Sequence, residues 1–238
     1  MIKAWFFDVD NTLYDYDTAH AAALQALTGQ LGPDLGLSPE AFAALHQEAY
    51  RIQQDRVGTQ TAAIHSRLLR YQIMLERLGK PLSLAPRMTG LYWTAFLAHM
   101  RMTPGADTCM AFLRERGCAV GIGTNMTADY QYAKLERLGL LRYVDLMVTS
   151  EEAGAEKPDP RFFHLCVQKA GCAAGECVFL GDNPVHDVQG AERAGLRPVW
   201  LRPAARQGEV PAHVPQLRTL EEVPGLFRSQ LLRETARP

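Results

Sequence analysis

Two aspartates separated by a single residue, Asp8 and Asp10, close a short apolar run in the stretch Ile2–Leu13, which reads IKAWFFDVDNTL. The run from Ile2 to Phe7 is too short for a helix and rich in aromatic residues, the pattern of a buried strand. Residues two apart on an extended backbone point the same way, so one pocket at the edge of a core receives both carboxylates. Such charges repel and lose hydration unless a cation neutralises them. Two chemistries answer that cost: a metal site, or one carboxylate acting as nucleophile beside another that carries a proton. A solvated turn with an Asx cap is the plain alternative.

The ends of later apolar runs bear on that choice. Thr124 and Asn125 follow Cys118–Gly123 and open a helix, where a hydroxyl, an amide and free N–H groups together bind an anion such as phosphate. A helix N-cap explains one of the two equally well. After Val144–Val148 comes a loop and then Lys157-Pro158 before a helix. Taken alone, Lys157 reads as a solvated loop residue, lysine being rarely buried. After Cys177–Leu180 come Gly181-Asp182-Asn183-Pro184 and His186-Asp187; Gly181 permits close backbone approach and Asp182 is a third carboxylate. Independent turns are a poor account of so many polar strand ends.

The elements that must position these residues follow from periodicity. From Thr103 onward, short apolar runs alternate with helical patterns at Ala106–Arg116, Thr127–Leu138, Pro160–Ala170 and Val185–Ala194, and a last run spans Pro198–Leu201. With Ile2–Phe7 this is an α/β fold, a Rossmann-like parallel five-stranded sheet with helices on both faces. Its chemistry belongs at the C-terminal strand ends, where strand order reverses. Between about Asp17 and Met100 the apolar residues recur in steps of three and four, with breaks at Gly32-Pro33, Ser38-Pro39, Gly58-Thr59 and Gly79-Lys80-Pro81. The expected organisation is a core domain of residues 1–14 and 101–238, interrupted by a helical bundle of residues 15–100. Val223–Leu232 carries some helical pattern, and the tail beyond it is expected to be disordered.

Composition narrows the class. The 238 residues are 47% apolar and 21% charged, with a net charge of −1, an ordinary globular balance. The scattered basic residues argue against a nucleic-acid partner. No apolar stretch approaches a membrane span, and Asp8 and Asp10 fall where a signal peptide needs apolar residues. Five cysteines, odd in number and without a CxxC pair, suit idle thiols in a reducing cytoplasm.

DVDNT at Asp8–Thr12, Thr124-Asn125, Lys157-Pro158 and GDNPVHD at Gly181–Asp187 together resemble the haloacid dehalogenase superfamily, in particular its phosphatases with a helical cap inserted after the first motif. The resemblance implies that Asp8 is the nucleophile, forming an aspartyl-phosphate, and that Asp10 is the general acid and then the base. Thr12 and Asn183 fall inside the matching motifs and are expected to support the site. It implies that Thr124, Asn125 and Lys157 hold phosphoryl oxygens, and that Asp8, Asp182 and the Asp10 main-chain carbonyl bind Mg²⁺. Asp187 then supports the metal or Lys157. Physical chemistry agrees, because a phosphomonoester repels an approaching carboxylate unless positive donors surround it. An all-oxygen donor set also suits Mg²⁺ better than zinc. Asp10 would need its proton near neutral pH, which desolvation in a leaving-group pocket could supply.

Related chemistries separate on single residues. Dehalogenases that resemble this fold lack the second aspartate, so Asp10 argues against carbon–halogen cleavage. Cleavage of phosphonates would use a cap lysine, and Lys80 sits in an interhelix turn. Phosphosugar mutases share all four motifs and remain an alternative, as does a catalytically idle binding protein on the same fold. Substrate identity is expected in the bundle, at Tyr16, His20, His46, Gln53, Arg56 or His65, each of which otherwise reads as a solvated helix face or a satisfied polar residue of the bundle. Met88, Trp93 and Phe96 read as core, and Asn11–Asp15 as the joint. The expectation is a Mg²⁺-dependent phosphatase of a nucleotide monophosphate, sugar phosphate or short acid phosphate, monomeric or homodimeric.

Overall fold

The computed structural model describes residues 1–202 and 209–235, with side chains through residue 229. The expected disorder at the end of the tail falls on residues 236–238, outside the described residues. Two compact units divide the chain, one of Met1–Tyr14 with Met102–Pro238 and one of Asp15–Arg101.

Strand β1 is Ala4–Phe7. Trp5, Phe6 and Phe7 are fully buried, each contributing roughly 1.5–3 kcal/mol of apolar burial. The period-2 alternation of a strand sends them to opposite sides. Ala4 and Phe6 join a cluster with Phe162, Phe163 and Phe179, while Trp5 lies against Phe7 and Phe227. Both faces of the strand are therefore covered.

The unit Asp15–Arg101 is built from α1 (Tyr16–Leu35), α2 (Pro39–Val57), α3 (Arg67–Leu78) and α4 (Leu84–His99). Asp15, Ser38 and Ser66 cap the first three, each side chain accepting a backbone N–H. Gly32-Pro33 does not break the chain as expected: α1 runs through Pro33 to a left-handed Gly36 at φ 75°. Proline sacrifices one helical hydrogen bond, and here it does so within one turn of the helix end. Met88, Trp93 and Phe96 are core.

The sheet unit resumes with α5 (Ala106–Glu115), β2 (Ala119–Thr124), α6 (Ala128–Arg137), β3 (Leu146–Thr149), the short α7 (Ser150–Ala153), α8 (Pro160–Ala170) and β4 (Cys177–Gly181). There follow α9 (Gly190–Arg193), β5 (Arg197–Leu201), β6 (Gln216–Leu217) and α10 (Val223–Thr235). The sheet has six parallel strands in the order β3-β2-β1-β4-β5-β6, not five. The sixth, two residues long, carries no apolar run that a sequence pattern could register. The helix expected over Val185–Ala194 is a wider π-type turn over Pro184–Gln189 leading into α9. The chain reverses direction across the sheet between β1 and β4, so a crevice opens at the C-terminal ends of these two strands. Among the described residues no helix is long and apolar enough to cross a membrane.

Candidate active site

Asp8 leaves the end of β1 and Asp182 the end of β4, on the two sides of that crevice. Asp8 N–H donates to the Leu180 carbonyl at 2.9 Å, which extends the β1–β4 ladder to the site itself. Each is only 6% exposed. Asp187 comes from the wide turn after β4, and carboxylate oxygens of Asp8, Asp182 and Asp187 lie within 4.8 Å of one another. Gly181 makes this possible: a Cβ there would come 2.3 Å from Asp187 Cγ.

Lys157 fills the space between two of the acids. Its Nζ donates to Asp8 Oδ1 at 2.6 Å, to Asp187 Oδ1 at 2.7 Å and to the Gly123 carbonyl at 3.1 Å. Buried to 3% exposure, it is not the solvated loop residue that its type suggests in isolation. Burial opposes its ammonium, but Asp187 and Asp8 outweigh that and push it above the ordinary lysine range. Burial pushes the Asp8 carboxyl up to about 8, against the pull of Lys157 and with help from Asp187, Asp182 and Asp10. Lys157 thus bridges Asp8 and Asp187 beside Asp182. The all-oxygen donor set of these three buried carboxylates fits a hard divalent cation such as Mg²⁺.

The other residues singled out by sequence divide by what holds them. Thr12 donates its hydroxyl to Asp8 Oδ2 at 3.2 Å. The Thr124 hydroxyl at the end of β2 accepts from Gln131 Nε2 at 2.7 Å. Asn125 turns toward Lys157, its Oδ1 accepting the Lys157 N–H at 2.8 Å, so it fixes the lysine's main chain. Asn183 is a cap, its Oδ1 accepting from Val185 and His186 N–H at 2.9 Å, while its own N–H donates to Asp187 Oδ2.

Asp10 brings in residues that the sequence reading missed. Its Oδ1 accepts from Lys134 Nζ at 2.7 Å and from the Tyr14 hydroxyl. An ammonium and a phenol stand against this carboxylate. Lys134 is completely buried, as is Gln131 one turn earlier on α6. A signal existed: Gln131, Lys134 and Leu135 occupy one stripe at helical spacing, so the lysine sits where the core-facing residues of α6 fall.

In the helical unit, His46 and Gln53 are buried, and Gln53 is a satisfied polar residue of the bundle. Gln53 Nε2 donates to the Ala63 and Ser66 carbonyls at 2.8 and 3.1 Å, and its Oε1 accepts from Arg70 Nε at 3.0 Å. That amide locks the segment before α3, a structural reason for burial that periodicity does not reveal. Arg56 is on the surface, 3.5 Å from Glu76. Tyr16, His20 and His65 line a cavity with His46.

Comparison with known proteins agrees with the motif order. A family model described as haloacid dehalogenase-like hydrolase matches residues 2–195. The chain belongs to that family. It is 40% identical over 215 residues to the ribulose-1,5-bisphosphate 5-phosphatase of Halopiger xanaduensis, covering 86% of each chain. It is 34% identical over 209 residues to the glyceraldehyde 3-phosphate phosphatase of Methanopyrus kandleri, covering 85% of this chain and 84% of the relative. Among solved structures, a 2-haloacid dehalogenase from Pseudomonas syringae pv. Tomato DC3000 superposes with a TM-score of 0.78 at 26% identity, over 97% of this chain and all of the other. With such relatives, the chain is a hydrolase of the phosphatase type.

Proposed function

We propose that this chain is a Mg²⁺-dependent phosphatase of small phosphorylated metabolites, with Asp8 as its nucleophile and Asp10 as its acid and base. One observation carries the reading: Asp8 shares the Lys157 ammonium with Asp187 at 2.6 and 2.7 Å, at the strand end opposite Asp182. An Asp8 oxygen attacks phosphorus, the bond from phosphorus to the ester oxygen breaks, and Asp10 gives its proton to the departing alcohol. Asp10 then takes a proton from the water that attacks the aspartyl-phosphate, releasing inorganic phosphate and restoring Asp8. The Thr124 hydroxyl and the Lys157 ammonium bind phosphoryl oxygens. Asn125 holds Lys157 in place, and Thr12 orients Asp8.

Asp8, Asp182 and the Asp10 main-chain carbonyl would hold Mg²⁺, with Asp187 supporting both the ion and Lys157. When bound, the ion supplies the positive charge that lets two anions, carboxylate and phosphate, approach each other. Tyr14 and Lys134 fix the direction in which Asp10 presents its carboxyl.

The names of the two relatives described above favour sugar-type phosphates over nucleotide monophosphates among the candidate substrates. Five free thiols suit a reducing cytoplasm. Incubation with p-nitrophenyl phosphate, with and without Mg²⁺, tests the reading. Metal-dependent release of p-nitrophenol is expected, and none at any metal concentration refutes it. A panel of phosphosugars with isomer analysis separates hydrolysis from an intramolecular transfer, and sedimentation decides between monomer and homodimer.

A further inference from the structure

The helical unit contains a charged cavity for which the proposed chemistry has no use. About 350 Å³ in volume, it is lined by Tyr16, His20, His46, His65, Arg67 and Arg70 among others. Both arginines are buried to 5% exposure. Every acceptor they have is neutral: Arg67 donates to the His65 carbonyl at 3.0 Å and to the Tyr16 and Tyr92 hydroxyls at 2.8 and 3.3 Å. Arg70 donates to Gln53 Oε1 at 3.0 Å and the Ile64 carbonyl at 3.1 Å. Among the described residues, no carboxylate forms an ion pair with either.

Three buried polar atoms in this cluster have no hydrogen-bond partner: Arg67 Nε, His46 Nε2 and the hydroxyl of Tyr71. Native interiors rarely leave such groups unsatisfied, and two guanidinium groups desolvated side by side without a counter-charge are costlier still. Aromatic faces offset part of this, with Arg67 5.0 Å from the Tyr92 ring centroid and Arg70 4.3 Å from that of Tyr50. Burial and the two arginines hold His20 down to about 4, and burial with the arginines and His20 holds His46 down to about 3. Both imidazoles are thus neutral, and the cavity's charge is that of the arginines.

We infer that this cavity binds an oxyanion, a phosphate or carboxylate group of a small molecule, between Arg67 and Arg70 with His46 completing its hydrogen bonds. The planar guanidinium fork matches such groups, and each bond is charge-assisted. The anion has two possible sources, a second acidic group of the substrate itself or a free anion acting as effector. The first source rests on the phosphatase reading above; the binding site does not.

Asp8→Asn protein, inactive under the proposed mechanism, is titrated with inorganic phosphate and with sulfate while the ring resonances of His20 and His46 are followed. Saturable shifts at both rings are expected, with affinity about tenfold weaker or worse in Arg67→Gln and Arg70→Gln. Should a glutamine variant fail to fold, Arg70→Lys keeps the charge, loses the fork and must still weaken binding. Absence of saturable shifts, or equal affinity in the arginine variants, overturns the inference. The source is read kinetically in otherwise unmodified protein, by comparing phosphoglycolate with 2-hydroxyethyl phosphate. If Arg70→Gln lowers kcat/KM about tenfold for phosphoglycolate alone, the anion belongs to the substrate. If both esters respond equally while the histidine shifts persist, the cavity serves a free anion. Failure to hydrolyse either ester strikes the phosphatase reading and leaves the histidine titration standing.

Discussion

Lys134 Nζ lies 2.7 Å from Asp10 Oδ1 although 124 residues separate them in sequence. The lysine is fully buried and the Asp10 side chain 31% exposed, so α6 delivers a cation from the interior to a carboxylate that faces solvent. Lys134→Met keeps the volume and removes the charge. The expected result is a fall in kcat/KM of roughly 10²-fold through lost orientation, and a shift to higher pH of the kinetic limb governed by Asp10, because a cation that favours its ionised form is gone. An unchanged pH–rate profile would show that Lys134 is only packing. Asp10→Asn, which removes the proton donor itself, should cost roughly 10²–10⁴-fold.

Asp8→Asn should abolish turnover and also change how stability responds to metal and pH. In metal-free protein, burial raises the folded Asp8 carboxyl from the usual 3.8 to about 8. Between these values the folded state of metal-free protein binds more protons than the unfolded state, so this contribution to stability is full at low pH and is lost as pH rises through about 8. Urea melts across that range should show the slope in metal-free wild type and its loss in Asp8→Asn. Mg²⁺ at about 100-fold above its Kd should stabilise wild type by about 2.7 kcal/mol. Equal stabilisation of Asp8→Asn would remove Asp8 from the metal site.

Gly181→Ala places a methyl group 2.3 Å from Asp187 Cγ. Asp187 must move, and with it the acceptor of one Lys157 hydrogen bond. A loss of about 1–3 kcal/mol is expected from the overpacking, together with a drop in activity larger than any rise in KM. Thermal melts and steady-state kinetics check both, and a fully active Gly181→Ala protein would show the acid cluster to be more tolerant than its geometry implies.

The histidines of the helical unit predict the opposite slope. Their folded values, about 4 for His20 and about 3 for His46, lie below the usual 6.5. The unfolded state therefore binds more protons below pH 6.5, and stability present above that pH is lost as pH falls toward 4 and 3. The effect is cleanest in the Asp8→Asn background, where the opposing Asp8 slope is absent. His46→Phe should flatten the slope measured there; a slope that survives the substitution would assign the proton uptake elsewhere.

Local patterns made β1 to β5 and the motif residues at their ends readable in the sequence, because an apolar run and the turn residue that closes it are neighbours. Residues whose environment is set by distant partners were not readable. Lys157 is buried because Asp8 and Asp187, 149 and 30 residues away, neutralise it, and no local composition reports such a pairing. Gln53 Oε1 accepts from Arg70 Nε across two helices, a pairing that neither residue's type reports. Lys134 differs, since its place in the core-facing stripe of α6 is itself a local pattern. The wide turn at Pro184–Gln189 carries the apolar spacing of an ordinary helix, and only the reach of Asp187 back to the Asn183 N–H distinguishes it.

Where the helical insertion leaves and rejoins the sheet unit, Tyr14 and Met102 form an antiparallel bridge, and Thr103 N–H donates to the Leu13 carbonyl at 2.9 Å. Paired residues of this kind lie only about 5 Å apart. The eighty-odd residues between them are therefore spliced into the fold at a single point that a tight hairpin could bridge. Module exchange by recombination at this seam would need no redesign of the strands.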